Sequence, residues 1–295
     1  SNPMIKGKKI KGKKKERLMQ GVFLIAACAS VLAIALICVF LFAGGVPAMA
    51  QIGLFDFLFG TEWRPANDVY GILPMIVGSL CVTAGALVVG VPIGLLTAIY
   101  LACFCPGRLH RFLRPMVELL AGIPSVVYGF FGLVVLVPMV RTLTNNQSNG
   151  LSILTASILL GIMILPTVVT VSESALRAVP SAYHEGALAL GATGEQSAFF
   201  VRLPAARSGV LAAVALGIGR AIGEAMAVIM VLGNQPRMLT GLLQGARTLT
   251  ANIVLEMGYA ADLHREALIA TGVVLFVFIL LVNLATRLLR KKEAA

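Results

Sequence analysis

Two charges stand where the sequence is otherwise apolar. Arg220 and Glu224 lie within the run 208–232, whose other residues are almost all apolar or small. A charge at the centre of a hydrocarbon layer costs on the order of 2.5–3.5 kcal/mol on insertion scales, so each needs a partner or a task. Their i, i+4 spacing puts both on one face of a helix, where they can pair. Ala215, Gly219, Gly223 and Ala227 form a separate ladder of small residues at the same spacing. Such a ladder lets another helix approach closely, which makes Gly219 and Gly223 expected packing positions. Two readings stay open for the pair: a structural ion pair, or a fixed cation on the path of an anion.

Few other residues form a chemical pattern. Gly7, Gly12 and Lys13 have the spacing of a phosphate-cradling loop, but Lys14 stands where Ser or Thr is required. That segment is polybasic and does not lie between a strand and a helix, so nucleotide hydrolysis by this route is not expected. There is no GxSxG. His110, His184 and His264 are scattered and form no HExxH, and Cys103 and Cys105 are spaced too tightly for a zinc knuckle. With Cys28, Cys38 and Cys81 they read as small packing residues. No metal and no bound cofactor are expected on this chain.

The elements that must position Arg220 and Glu224 are membrane helices. Of 295 residues, 58% are hydrophobic and 13% charged, against roughly 45–50% and about 25% in soluble domains. A hydrocarbon layer about 30 Å thick takes roughly 20 apolar residues as a helix. Such runs occur at about 18–43, 72–104, 117–140, 151–171, 208–232 and 267–289. They are too long and continuous for strands. The first exceeds the ~7–15 residues of a signal-peptide core, so it reads as an uncleaved anchor despite Ala48-Met49-Ala50. Ser1-Asn2-Pro3, ahead of Met4, reads as an appended remnant.

Basic residues set the expected orientation. With six spans, eighteen Lys and Arg fall on the side of both termini and five on the other, which predicts cytoplasmic termini. The net charge of +11 is concentrated in the run Lys6 to Arg17 and at Arg287, Arg290, Lys291 and Lys292. Clusters that flank apolar runs serve the membrane surface and argue against nucleic acid. The outer segments are then about 44–71, 141–150 and 233–266. Trp63 and Tyr70 suit a membrane interface, residues 145–149 form a turn, and a short helix is expected at about 249–259.

Between the fourth and fifth runs lies a segment with fixed spacing. It reads Glu185-Gly186-Ala187, three residues, Gly191, nine residues, Val201, one residue, Leu203-Pro204. Residues 187–190 are good helix formers, Gly191 is a plausible helix stop, and Gly194 adds a second break. The pattern resembles the EAA loop of ABC importer permeases, EAA-x3-G-x9-I-x-L-P. Gly186 and Val201 are small departures from it.

Further stretches narrow the resemblance. Residues 70–78 (YGILPMIVG), 121–129 (AGIPSVVYG), 217–227 (GIGRAIGEAMA), 248–253 (TLTANI) and 59–63 (FGTEW), with Glu256-Met257-Gly258, are similar to phosphate-specific ABC importer permeases of the PstC type. The resemblance covers about 18–290. It implies an all-α membrane protein with about six transmembrane helices in the type I ABC importer permease fold. The expected organisation is a polybasic tail at 1–19, a permease domain at 20–290 with its loop at 173–207, and a short tail at 291–295. The implied setting is a bacterial plasma membrane. The implied partners are a homologous PstA-type permease, an ATPase dimer carrying ATP and Mg, an external phosphate-binding protein, and membrane lipid. Glu185, Gly186, Ala187, Gly191, Leu203 and Pro204 would couple to the ATPase. Arg220 and Glu224 would lie on the phosphate path. The alternatives are an importer for another oxyanion or a secondary anion transporter, although the sequence has no inverted repeat.

Overall fold

The computed structural model describes the backbone of residues 3–293, and side chains at residue 16 and at 18–288. Ser1, Asn2 and the side chains of the basic residues 6–17, 290, 291 and 292 therefore lie outside the described residues.

In hydrocarbon a backbone amide has no water to bond, so spanning segments close their hydrogen bonds internally as helices. Long α1 (Pro3–Ile52) is followed by α2 (Leu54–Phe59) and a two-stranded antiparallel hairpin, β1 (Trp63–Arg64) and β2 (Val69–Tyr70), with Trp63 opposite Tyr70. Next come α3 (Leu73–Ile99), continued by a π-helical turn at Tyr100–Phe104, and α4 (Gly107–Gly122). α5 (Ser125–Phe131) and α6 (Val137–Leu143) are joined by a π-helical turn at Gly132–Leu136. α7 (Ile153–Arg177) leads into three short helices, α8 (Ser181–Ala189), α9 (Gly194–Ser197) and α10 (Leu203–Ala205). The chain closes with α11 (Arg207–Gly223), α12 (Met226–Val231), α13 (Leu249–Glu256) and α14 (Asp262–Glu293).

Among the described residues, five stretches are long and apolar enough to cross a membrane: Leu18–Ile52, Leu73–Phe104, Ser125–Leu143, Ile153–Arg177 and Asp262–Leu288. α9–α10 and α11 pass the same test only when taken together, and they meet at a bend of 73°. Four of the six expected runs agree closely with these helices; the run at 208–232 is divided between α11 and α12, and the third does not begin at 117. Residues 117–122 belong to α4, an amphipathic helix carrying Arg108, Arg111, Arg114 and Glu118. Ile123 is extended ahead of Pro124, and the span starts at Ser125. The proline ring clashes with a helical residue before it, which accounts for the break.

α7 is the central helix. Two-thirds of its most apolar window (67%) is buried inside the chain, whereas none of the corresponding window of α1 is. α1 touches mainly α14, and its exposed Phe23, Ile25 and Val31 are consistent with lipid as solvent. α3 lies against α7 through small residues. A Cβ on Gly85 would meet Ser157 Oγ, one on Gly90 would stand 2.7 Å from the Gly161 carbonyl, and one on Gly94 would stand 2.8 Å from Val168. Close backbone approach of this kind drives helix association in lipid, where hydrophobicity cannot. The packing glycines of α11 also differ from expectation. Gly209 meets Ala175 and Gly217 meets Val168, while Gly219 and Gly223 have nothing within 4 Å of a built Cβ.

Trp63 and Tyr70 are not interface residues of this chain. Both are buried with Phe57, Ile72 and Met75 against Leu249, Leu268 and Ala270. The hairpin thus pins the start of α3 to α13 and α14. All five cysteines are free, and Cys28 is exposed on α1.

Gly90→Leu should destabilise the chain by about 1–3 kcal/mol through overpacking. Gly219→Ala should not, because its Cβ meets open space. Thermal unfolding of the detergent-solubilised protein compares the two, and equal midpoints would refute this account of α3–α7 packing.

Candidate functional site

The span that carries Arg220 is interrupted. α11 ends at Gly223, Glu224 is extended (φ −76°, ψ 125°), and α12 starts at Met226. The opened turn is repaired locally. The Glu224 carboxylate accepts the Ala227 N–H at 3.1 Å, and the Thr250 hydroxyl donates to the Glu224 carbonyl at 3.0 Å.

The break corrects the expected ion pair. An i, i+4 contact needs a continuous helix, and unwinding after Gly223 takes Glu224 off the Arg220 face. Among the described residues the Arg220 side chain makes no hydrogen bond or ion pair. It is half-buried, and its charge reaches the Tyr128 hydroxyl, which itself donates to the Leu120 carbonyl at 2.8 Å. The small-residue ladder also divides. Gly219 and Gly223 face open space, while Ala227 is buried against α5, where a Cβ on Gly129 would stand 2.9 Å from its Cα. The result is a guanidinium without a carboxylate, beside an open glycine face and a broken helix. Broken membrane helices build ion sites in this manner, and a guanidinium stays charged and matches tetrahedral oxyanions in a bidentate manner.

The segment 181–205 folds as helix, turn and helix. Residues 173–177, expected within the loop, are instead the last turn of α7. Gly191 has φ +89°, a left-handed conformation that glycine alone adopts at no steric cost. Its N–H donates to the Leu188 carbonyl, and the Ala192 N–H donates to the Ala187 carbonyl. Gly194 begins α9 rather than breaking it. Thr193 caps the Gln196 N–H at 3.3 Å, and the Gln196 side chain caps the Thr193 N–H at 2.9 Å. His184 Nδ1, 2.7 Å from Ser197 Oγ, joins α8 to α9. Glu185, Gly186 and Pro204 are exposed, Ala187 is buried, and Leu203 packs by Leu176 and Ala206. Leu190 is 91% exposed and Phe200 78%, so the loop offers apolar side chains that this chain does not cover.

Two polar clusters escaped sequence reasoning. At one end of the bundle, Glu256 accepts from Arg247 (2.5 Å) and from the Trp63 indole (2.8 Å), with His264 Nε2 at 2.8 Å. Arg247 also donates to Asn252 and to the Asn234 carbonyl. Nearby phenols are shifted: burial, then the Asp68 hydrogen bond, pushes Tyr70 up, and burial, then the Glu256 charge, pushes Tyr259 up. At the other end, buried Glu173 lies 2.7 Å from His110 Nε2 and accepts from Arg177 Nε at 2.7 Å. Trp63 and His110 lie 193 and 63 residues from the carboxylates they meet, so no local spacing marks those two contacts. The one available signal was a lone carboxylate within an apolar run.

Residues 90–294 match the family described as "Binding-protein-dependent transport system inner membrane component". A probable ABC transporter permease protein of Bacillus subtilis, YqgH, is 38% identical over 90% of this chain and 89% of its own length. The phosphate transport system permease protein PstC of Mesorhizobium japonicum is 37% identical over 82% of this chain and 80% of its own. PstC 2 of Mycobacterium tuberculosis is 35% identical over 92% and 90%. Among solved structures, an inward-facing MetNI methionine ABC transporter chain superposes with a TM-score of 0.62 at 21% identity, covering 79% of this chain and 99% of that one. A bacterial ABC transporter involved in alginate import superposes with a TM-score of 0.55 at 16% identity, covering 92% and 98%. The fold is that of type I ABC importer permeases.

If Glu224 is a cap, Glu224→Gln keeps an oxygen for the Ala227 N–H and should unfold close to wild type. Glu224→Leu loses the cap and should cost about 0.5–2 kcal/mol. Thermal midpoints in detergent measure this, and an equal loss in both variants would point to the charge instead of the cap.

Proposed function

Because the chain belongs to the binding-protein-dependent transport system inner membrane component family, we propose that it is one of two homologous permease subunits that form the path for inorganic phosphate in an ATP-driven importer. The relatives named as phosphate transport permeases support the substrate. The observation that carries the chemistry is Arg220, a guanidinium that makes no ion pair among the described residues. The homologous, PstA-type subunit would close over the open face at Gly219 and Gly223. An external phosphate-binding protein would deliver the anion on the side of the β1–β2 hairpin. Both termini, the tails 1–19 and 291–295, and the 181–205 loop would lie in the cytoplasm.

The loop is the contact for an ATPase subunit, which holds ATP and Mg. Its apolar Leu190 and the charge of Glu185 stand free to dock. Closure of the ATPase dimer moves α8–α10, and α10 turns directly into α11 at Ala206. Fourteen helical residues then reach Arg220, a lever of about 20 Å at 1.5 Å per residue. Movement of the loop therefore tilts the helix that carries the anion-binding charge, and the break after Gly223 lets α11 move without dragging α12. Alternating access follows from that freedom.

Two variants test this reading in vesicles holding the full importer. Arg220→Gln should insert normally and lose ATP-dependent phosphate uptake, while Arg220→Lys should regain only part, lacking bidentate geometry. Wild-type uptake by the Gln variant would refute the role. Gly191→Val forces a β-branched residue to positive φ at a cost of roughly 1–2 kcal/mol, and Glu185→Lys reverses a docking charge. Both should leave the membrane helices folded yet weaken ATPase co-purification or separate hydrolysis from uptake. Normal co-purification and coupling in both would remove the loop from the mechanism.

A further inference from the structure

We propose that Glu173 is a positioning residue that transmits loop movement to the far side of the helix break, through α4. This rests on the ATPase-coupled permease reading above. The carboxylate sits four residues before the end of α7 and its side chain is 3% exposed. The same oxygen, Oε1, accepts from Arg177 Nε and lies 2.7 Å from His110 Nε2. Arg177 Nη2 also donates to the Leu101 carbonyl at 2.8 Å, in the π-helical turn that ends α3. From the loop, Arg202 Nη2 donates to the Leu176 carbonyl at 3.3 Å. One buried carboxylate thus joins the ends of α3 and α7 to the start of α4, and the loop is bonded to the same turn.

The consequence lies in what α4 leads to. None of its residues is buried, so apolar packing alone holds it weakly, and His110 is its hydrogen-bonded anchor on α7. α4 continues through Ile123-Pro124 into α5, and α5 packs closely on α12 through Gly129 and Ala227. The loop therefore reaches the two sides of the break by different routes. α11 is moved directly through Ala206, and α12 is moved through Glu173, His110, α4 and α5. A buried ion cluster is a costly way to stabilise a fold but an effective way to fix one arrangement. Without it, α4 and α12 would no longer follow the loop.

In the reconstituted importer, phosphate uptake per ATP hydrolysed should fall at least about fivefold in Glu173→Gln and in His110→Gln, as for loss of a coupling interaction. ATPase binding and hydrolysis should persist. His110→Gln leaves Glu173 bonded to Arg177, so the chain should keep its fold even where Glu173→Gln does not. A wild-type uptake-to-ATP ratio in His110→Gln overturns the proposal, as does a fall in protein yield with the ratio unchanged. A second measurement needs no partner subunit. Spin labels at Phe112→Cys and Leu190→Cys, with the native cysteines replaced, should give a broader distance distribution once His110→Gln is added. An unchanged distribution overturns the proposal. If the wild-type assembly shows no ATP-dependent phosphate uptake, the permease reading fails, and the label distances still decide the role of Glu173.

Discussion

A helix cannot stop inside hydrocarbon unless something completes its backbone. The interruption after Gly223 exists because the Glu224 side chain accepts from Ala227 and the Thr250 hydroxyl donates to the Glu224 carbonyl. Those two bonds commit Glu224 to the backbone, and the commitment leaves Arg220 without an ion pair among the described residues. They also tie the broken helix to α13, because Thr250 lies in that helix. The unpaired state of Arg220 among the described residues and the division of the helix into α11 and α12 are therefore set by the same interruption.

Away from the break, the bundle is fastened at both ends by one device. Glu256 and Glu173 are each nearly buried, and each is set between an arginine and a histidine. Removing either carboxylate would take away the acceptor used by its arginine and set against its histidine. The Glu256 cluster gathers the β1–β2 hairpin, α13 and the start of α14 into a rigid cap. The Glu173 cluster gathers the ends of α3 and α7 with the start of α4, beside a loop with exposed Leu190 and Phe200. Between them, α3 and α7 meet at glycine contact distance, and α11 packs on both.

Much of this was legible in the sequence because it is written in composition and local backbone chemistry. Continuous apolar runs located the spans, and Gly191 marked the left-handed turn that the structure places at φ +89°. Pro124 was equally visible, but the apolar run 117–140 masked the helix break it causes. Arg220 stood out as an intramembrane charge. Its pairing with Glu224 was misread because i, i+4 spacing assumes a helix that continues, and Gly223 allows it to end. Trp63 read as an interface residue because its acceptor, Glu256, lies 193 residues away. The His110–Glu173 contact was hidden for the same reason. Gly219 and Gly223 were identified as close-approach positions, but no helix of this chain occupies that face.

The account stands or falls on whether phosphate meets the uncompensated guanidinium at the break. Phosphorus-to-nitrogen dipolar dephasing in the solid state, on the importer trapped with phosphate in its path and with arginine nitrogen labelled, measures that contact directly. Arg220→Lys, which removes one guanidinium from the spectrum, assigns the signal. Dephasing in the wild type that disappears in the variant is the result predicted here. Phosphate held in the path of an active importer with no dephasing from Arg220 would contradict it.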